Sequence, residues 1–313
     1  MEKRKIFVIG HKNPDTDSVC SAIAYAQLKN EIDTENEYIP LRAGQTNEET
    51  QYVLKQFGVN APQYVMDVKS QVKDIEIRKV DGVDRNISIK AAWKLMRDIG
   101  VVTLPITRDN KLEGLITIAD IATSYMDVHD STTLSTARTV CKNIVETLDG
   151  ALIIGDEEHV FDRGKVLVAA ANPDLMESYI RMGDIVILGN RYESQLCAIE
   201  MQAGCIVVCE GAPVSMTIKK LAVENHCTII STPHDTFTAS RLINQSVPIS
   251  FFMRTEGLIT FSTEAYTDEV RQVMAKKRHR DFPIHDEQGN YIGMISRRNL
   301  LGMGKKQIIM VDH

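Results

Sequence analysis

The chain has no apolar run near the roughly 20 residues that a bilayer-crossing helix needs. The run behind the basic start MEKRK, Ile6 to Ile9, is too short for the apolar region of a secretory leader. Its six cysteines, Cys20, Cys141, Cys197, Cys205, Cys209 and Cys227, include no CxxC pair and form no dense framework. They are expected as reduced, mostly buried thiols of a cytoplasmic protein with no membrane contact. Basic residues are in deficit as well: 36 Lys and Arg against 42 Asp and Glu leave a net charge of -6. Nucleic-acid affinity comes mainly from cations that release counterions, so a nucleic-acid partner is not expected and any anion site has to be local. Aromatic residues are few, and the one tryptophan, Trp93, is expected in a core or a dimer contact.

What remains is ordinary globular material, 313 residues and 43% hydrophobic, with enough apolar side chain for two or three cores. Residues 5–57 alternate between strand and helix. KIFVIG reads as a strand, SVCSAIAYAQLKN as a helix capped by Asp17 or Ser18, EYIPLRAG as a strand, and a further helix starts near Thr46. Such alternation implies an α/β fold with a doubly wound parallel sheet, whose ligands bind at the carboxyl ends of strands.

An internal repeat follows. LPITRDNKLEGLITIADIA, Leu104 to Ala122, matches FPIHDEQGNYIGMISRRNLL, Phe282 to Leu301, and each copy follows a helix, IKAAWKLMRDIG or TDEVRQVMAKKRHR. Both read strand, polar turn, strand, then a helix capped by Thr117 or Ser296. Between the copies, GALIIG, KVLVAA, DIVILG, CIVVCEG and CTIIS read as short buried strands, each followed by a helix, in a separate α/β module. Pro233 and Pro248 are expected to mark a helix-breaking linker into the second copy.

The opening strand runs into GHKNPDTDS, which places His11, Asp15 and Asp17 in a tight loop. Imidazole and carboxylates together suit Mn2+ or Mg2+, and two such ions about 3.5 to 4 Å apart can activate water against phosphorus. The same residues would also serve as a helix cap, an Asx-turn and an exposed loop histidine. At the other end KKQIIMVDH is an apolar strand that delivers Asp312 and His313. If it rejoins the first sheet, Asp312 lands beside the opening loop and everything between is one large insertion.

With these residues in view, VIGHKNPDTDSVCSAIAYAQLKN, IPLRAGQTNEETQYVL and IIMVDH resemble the family II inorganic pyrophosphatases, members of the DHH phosphoesterases. GLITIAD and GMISRRN resemble a pair of CBS modules, and GDIVILGNRYESQLCAIEMQAGCIVV is similar to a degenerate DRTGG domain. Together they resemble the nucleotide-regulated members of that family. The resemblance implies a DHH sheet in residues 1–64 and 307–313, CBS modules in 65–128 and 246–306, and a DRTGG-like module in 129–245. It implies Mn2+ or Co2+ with Mg2+, held by His11 and Asp15 at one ion, Asp17 at the other and Asp312 across both, for hydrolysis of pyrophosphate to two orthophosphates. The DHH triplet, a later aspartate ligand and the basic C-terminal domain of the family are missing. The chain is therefore expected to be a piece cut inside the catalytic domain, inactive or nearly so by itself.

For the CBS pair the resemblance implies binding of AMP, ADP, ATP or a diadenosine polyphosphate. A Thr or Ser hydroxyl at the helix start, Thr117 or Ser296, would meet phosphate, and the group three residues later, Asp120 or Asn299, would hold the ribose. A helix N-terminus favours an anion there. Arg278 and Arg280, in the cluster KKRHR, would neutralise polyphosphate locally. A homodimer is expected by analogy. A nucleotide sensor without catalysis and a DHH phosphodiesterase are the alternatives.

Overall fold

The computed structural model describes residues 3–66, 69–126, 130–277, 279–301 and 307–311. The chain divides into two compact units, residues 1–80 with 259–313 and residues 81–258.

In the first unit the opening strand, Arg4–Ile9, has parallel partners on both sides: Asn36–Arg42, and the closing strand Gln307–Met310. The register sets Val8 opposite Ile309 and Ile9 opposite Met310, and the Val311 N–H donates to the Ile9 carbonyl at 3.0 Å. Gln63–Tyr64 adds a short fourth strand. Parallel neighbours need a crossover. Helix Thr16–Ile32 supplies one, burying Ala22 and Ala26 with Ile6, Val8 and Tyr38. The two ends of the chain therefore share one parallel sheet. The helix is capped by Asp15, where Asp17 or Ser18 was expected, because an extended Asp15 puts its carboxylate 2.9 Å from the Ser18 N–H.

The same unit holds the second copy of the repeat. Its hairpin is Asp281–His285 against Tyr291–Ser296, flanked by strand Phe261–Ser262, helix Thr267–Lys276 and the short helix Arg297–Leu301. The first of these helices stops at Lys276, four residues before the expected end at Arg280. Residues 72–78, which lie in sequence within the stretch assigned to the first copy, pack here. Val72 and Ile75 join the core of Val270, Met274, Phe282, Ile284, Ile295 and Leu300. Arg78 exchanges two 2.9 Å backbone hydrogen bonds with Met294. Gly293 makes that approach possible: its φ is 154°, and a Cβ there would lie 2.7 Å from the Arg78 carbonyl oxygen.

In the second unit the first copy has the same plan. Helix Ile89–Ile99, capped by Ser88 and closed by the left-handed Gly100 at φ 66°, precedes the hairpin of Thr103–Arg108 and Lys111–Thr117, and helix Ile118–Met126 follows. Trp93 lies on the first of these helices at 44% exposure, outside the core. The middle module is a five-stranded sheet in the order Ala151–Ile154, Thr228–Ser231, Cys205–Val208, Ile185–Leu188, Val166–Val168. Two of its three inner strands, Cys205–Val208 and Ile185–Leu188, are buried at every residue, as a parallel sheet covered on both faces requires. The edge strand Ala151–Ile154 runs antiparallel and leads to a short strand, Val160–Phe161, in place of the expected helix.

The expected linker between Pro233 and Pro248 is itself helical. Asp235 accepts the Thr238 N–H at 2.7 Å and starts helix Thr236–Leu242. Pro233 precedes that cap, where a missing N–H breaks nothing, and Ile243 and Val247 are fully buried. All six cysteines are free thiols, five of them buried. Burial pushes the Cys141 and Cys227 thiols up to about 12. No helix among the described residues is long and apolar enough to cross a membrane.

Candidate functional site

The loop behind the opening strand is pinned from two sides. A Cβ on Gly10 would collide with the Ser18 side chain, and one on Gly44, at the end of the second strand, would lie 2.5 Å from Cδ of the buried Pro14. Asn13 takes the left-handed conformation at φ 61°, and its N–H reaches the Ala43 carbonyl at 3.4 Å. This geometry turns the chain so that His11 and Asp15 face each other, Nε2 to Oδ1 at 3.4 Å. His11 Nδ1 lies 3.1 Å from the Lys12 carbonyl, an acceptor, as is the Asp15 carboxylate that Nε2 faces. To ligate a metal through Nε2 the ring would have to be neutral with its proton on Nδ1, where the Lys12 carbonyl can accept it. Asp17 is exposed on the first helical turn and accepts from Ser21 Oγ at 3.3 Å.

His11 and Asp15 are thus within reach of one ion. No group of three His, Cys, Asp or Glu among the described residues forms a metal site, and an octahedral ion takes about six donors. The local geometry fits part of a site, with Asp17 outside that pair. Asp312 and His313 lie outside the described residues.

The second candidate is the start of helix Ile118–Met126. Thr117 and Asp120 close on each other: the Thr117 N–H and hydroxyl donate to Asp120 Oδ2 at 2.9 and 2.7 Å, and the Asp120 N–H donates to Thr117 Oγ1 at 3.2 Å. The other oxygen, Oδ1, accepts from Arg254 Nε at 3.0 Å and Nη2 at 2.6 Å. Sequence reading missed Arg254, which lies 134 residues from Asp120 with no local pattern to mark it. Its backbone is fixed by two hydrogen bonds with Leu115, of 2.9 and 3.0 Å.

The second copy repeats the arrangement with an amide. Asn299 Oδ1 accepts from the Ser296 N–H and hydroxyl, both at 2.8 Å. Arg78 bridges Met294 as Arg254 bridges Leu115, each two residues ahead of the hydroxyl residue, so the repeat extends to an arginine in each copy. Arg280 is exposed just ahead of strand Asp281–His285, and Arg278 lies outside the described residues.

Residues 143–246 match the DRTGG domain family, and residues 72–127 and 250–304 match the CBS domain family. The cobalt-dependent inorganic pyrophosphatase of Clostridium perfringens is 40% identical over 313 residues, covering 99% of this chain and 57% of that protein. The probable manganese-dependent inorganic pyrophosphatase of Thermotoga maritima is 31% identical, covering 99% of this chain and 56% of that protein. The chain therefore spans a little over half the length of these relatives. A crystal structure of the CBS and DRTGG domains of the regulatory region of the C. perfringens pyrophosphatase, complexed with the activator diadenosine tetraphosphate, superposes with a TM-score of 0.70. It is 37% identical and covers 73% of this chain and 100% of that one. A CBS pair with a DRTGG domain between its halves is thus common to both, and the chain belongs to the family of CBS and DRTGG regulatory regions that the clostridial pyrophosphatase contains.

Proposed function

We propose that this chain is the nucleotide-sensing region, together with the N-terminal metal-binding loop, of a Mn2+- or Co2+-dependent inorganic pyrophosphatase that also uses Mg2+. The observation that carries the reading is the parallel pairing of Arg4–Ile9 with Gln307–Met310. That pairing makes the CBS pair and DRTGG domain an insertion into one α/β sheet, whose strand end presents the facing His11 and Asp15. Asp17 and Asp312 complete the proposed ligand set. When bound, the metals supply an activated water for attack on pyrophosphate, releasing two orthophosphates.

The regulatory ligand is an adenine nucleotide, AMP, ADP, ATP or a diadenosine polyphosphate. Thr117 and Ser296 meet its phosphates, Asp120 and Asn299 its ribose, and Arg278 and Arg280 add local positive charge. Two helix starts, each with a hydroxyl that donates to an oxygen acceptor three residues later, support this reading. A homodimer in the cytoplasm accompanies it, and the exposed Trp93, Ile99 and Tyr125 on the helices of the first CBS module support the dimer.

Calorimetric titration of the chain with AMP and with diadenosine tetraphosphate tests the sensor. Binding heat that disappears in Thr117→Ala with Ser296→Ala is the expected result, and its absence from the unaltered chain removes the nucleotide assignment.

A further inference from the structure

The acceptor capacity of Asp120 is already used. A carboxylate offers about four lone-pair positions. Here Oδ2 takes the N–H and hydroxyl of Thr117, and Oδ1 takes Nε and Nη2 of Arg254 at 3.0 and 2.6 Å. The pair is asymmetric: the Asp120 side chain is only 13% exposed, while that of Arg254 is 52% exposed. The guanidinium is therefore the partner that can swing into water, with its backbone still held on Leu115. In the second copy the same position carries the neutral Asn299, whose Oδ1 accepts from the Ser296 N–H and hydroxyl.

We propose that Arg254 is a latch on the first CBS module, competing with ribose hydroxyls for Asp120. It sets both the affinity and the ribose selectivity of that site. The proposal rests on the reading of Asp120 as the ribose contact. A ribonucleotide that engages Asp120 must first displace the guanidinium, so its apparent affinity is reduced by the fraction of molecules that are latched. A nucleotide without ribose hydroxyls has no use for Asp120 and leaves the latch closed. For an ion pair with one exposed partner the reduction is on the order of fivefold.

The test compares AMP with 2′,3′-dideoxyadenosine monophosphate by calorimetry on the full chain, with Ser296→Ala present throughout so that the first copy dominates. Arg254→Met removes the guanidinium, keeps an unbranched stem and leaves the backbone bridge in place. Its lost charge weakens phosphate attraction equally for both ligands, so the ratio of their affinities is the readout. The preference for AMP is expected to rise on the order of fivefold over the Arg254 protein. Arg254→Lys keeps the charge but cannot donate from both Nε and Nη2, and should fall between the two. Circular dichroism checks that each variant is folded. AMP binding with an unchanged or reduced preference in both variants overturns the latch and leaves the nucleotide reading standing. Absence of AMP heat from every protein, including the unaltered chain, removes the reading and the latch together.

Discussion

Gly293→Ala should separate the second CBS module from the segment that completes it. At φ 154° an alanine is strained by about 1 to 3 kcal/mol. Its methyl group would also lie 2.7 Å from both the Arg78 carbonyl oxygen and Ile77 Cγ2, an overpacking that costs about 1 to 3 kcal/mol more. The sum, about 4 kcal/mol, is a large part of the 5 to 15 kcal/mol that holds a domain together. Gly257→Ala is the control, since Gly257 shares a left-handed backbone at φ 64° but has no atom within 4 Å of the added methyl group. It should cost about 1 kcal/mol. Urea unfolding followed by circular dichroism measures both losses. Amide exchange should localise the Gly293→Ala loss to Arg78 and Met294, with strand Ile185–Leu188 still protected. Equal losses in the two variants, or exchange at Met294 as slow as in the unaltered chain, would refute the close-approach argument.

Isothermal titration with Mn2+ should show binding that drops at least about tenfold in His11→Ala and in Asp15→Ala, as loss of a ligand or of its orienting partner does. Unchanged affinity in both would remove the loop from the metal site. Asp184 is 2% exposed and accepts the Lys165 and Arg181 N–H groups, both at 2.9 Å. Asp184→Asn turns one of those acceptors into a donor and should cost about 1 to 3 kcal/mol in thermal or urea unfolding. Asp149 accepts from Lys90 Nζ at 3.1 and 3.2 Å and from His234 Nε2 at 3.0 Å. Partial burial raises its pKa, and hydrogen bonds from Lys90 and His234 outweigh that, so the carboxyl sits below its ordinary 3.8. A depressed folded pKa contributes stability that is present above the unfolded value and lost as pH falls through the folded one. Stability should therefore decline in acid below about pH 4, and Asp149→Asn should flatten that decline in an unfolding series. Thiol titration should label Cys20 first, with the five buried cysteines reacting only on unfolding.

Local patterns were legible because local chemistry makes them. The alternation of KIFVIG, a helix and EYIPLRAG announced a parallel sheet, and the strands at Arg4–Ile9 and Asn36–Arg42 pair as that alternation requires. The repeated hairpins at 103–117 and 281–296 were readable from the same order of apolar runs, polar turn and hydroxyl cap, and both hairpins are antiparallel pairs. The helical stretch after Pro233 is not visible from the proline, which lies in the turn after strand Thr228–Ser231, whereas Asp235 two residues later caps a new helix.

The sequence by itself determined which residues form strands, turns and caps, since periodicity, glycine conformation and side-chain capping act over a few residues. Only the tertiary structure decided which distant pieces meet. The closing strand lies on the opening one, Val72 and Ile75 complete a core built from residues 270–300, and Arg254 closes on Asp120. Those pairings are fixed by packing and by the need of buried or charged groups for partners, and a partner more than a hundred residues away leaves no mark on its neighbours in the chain.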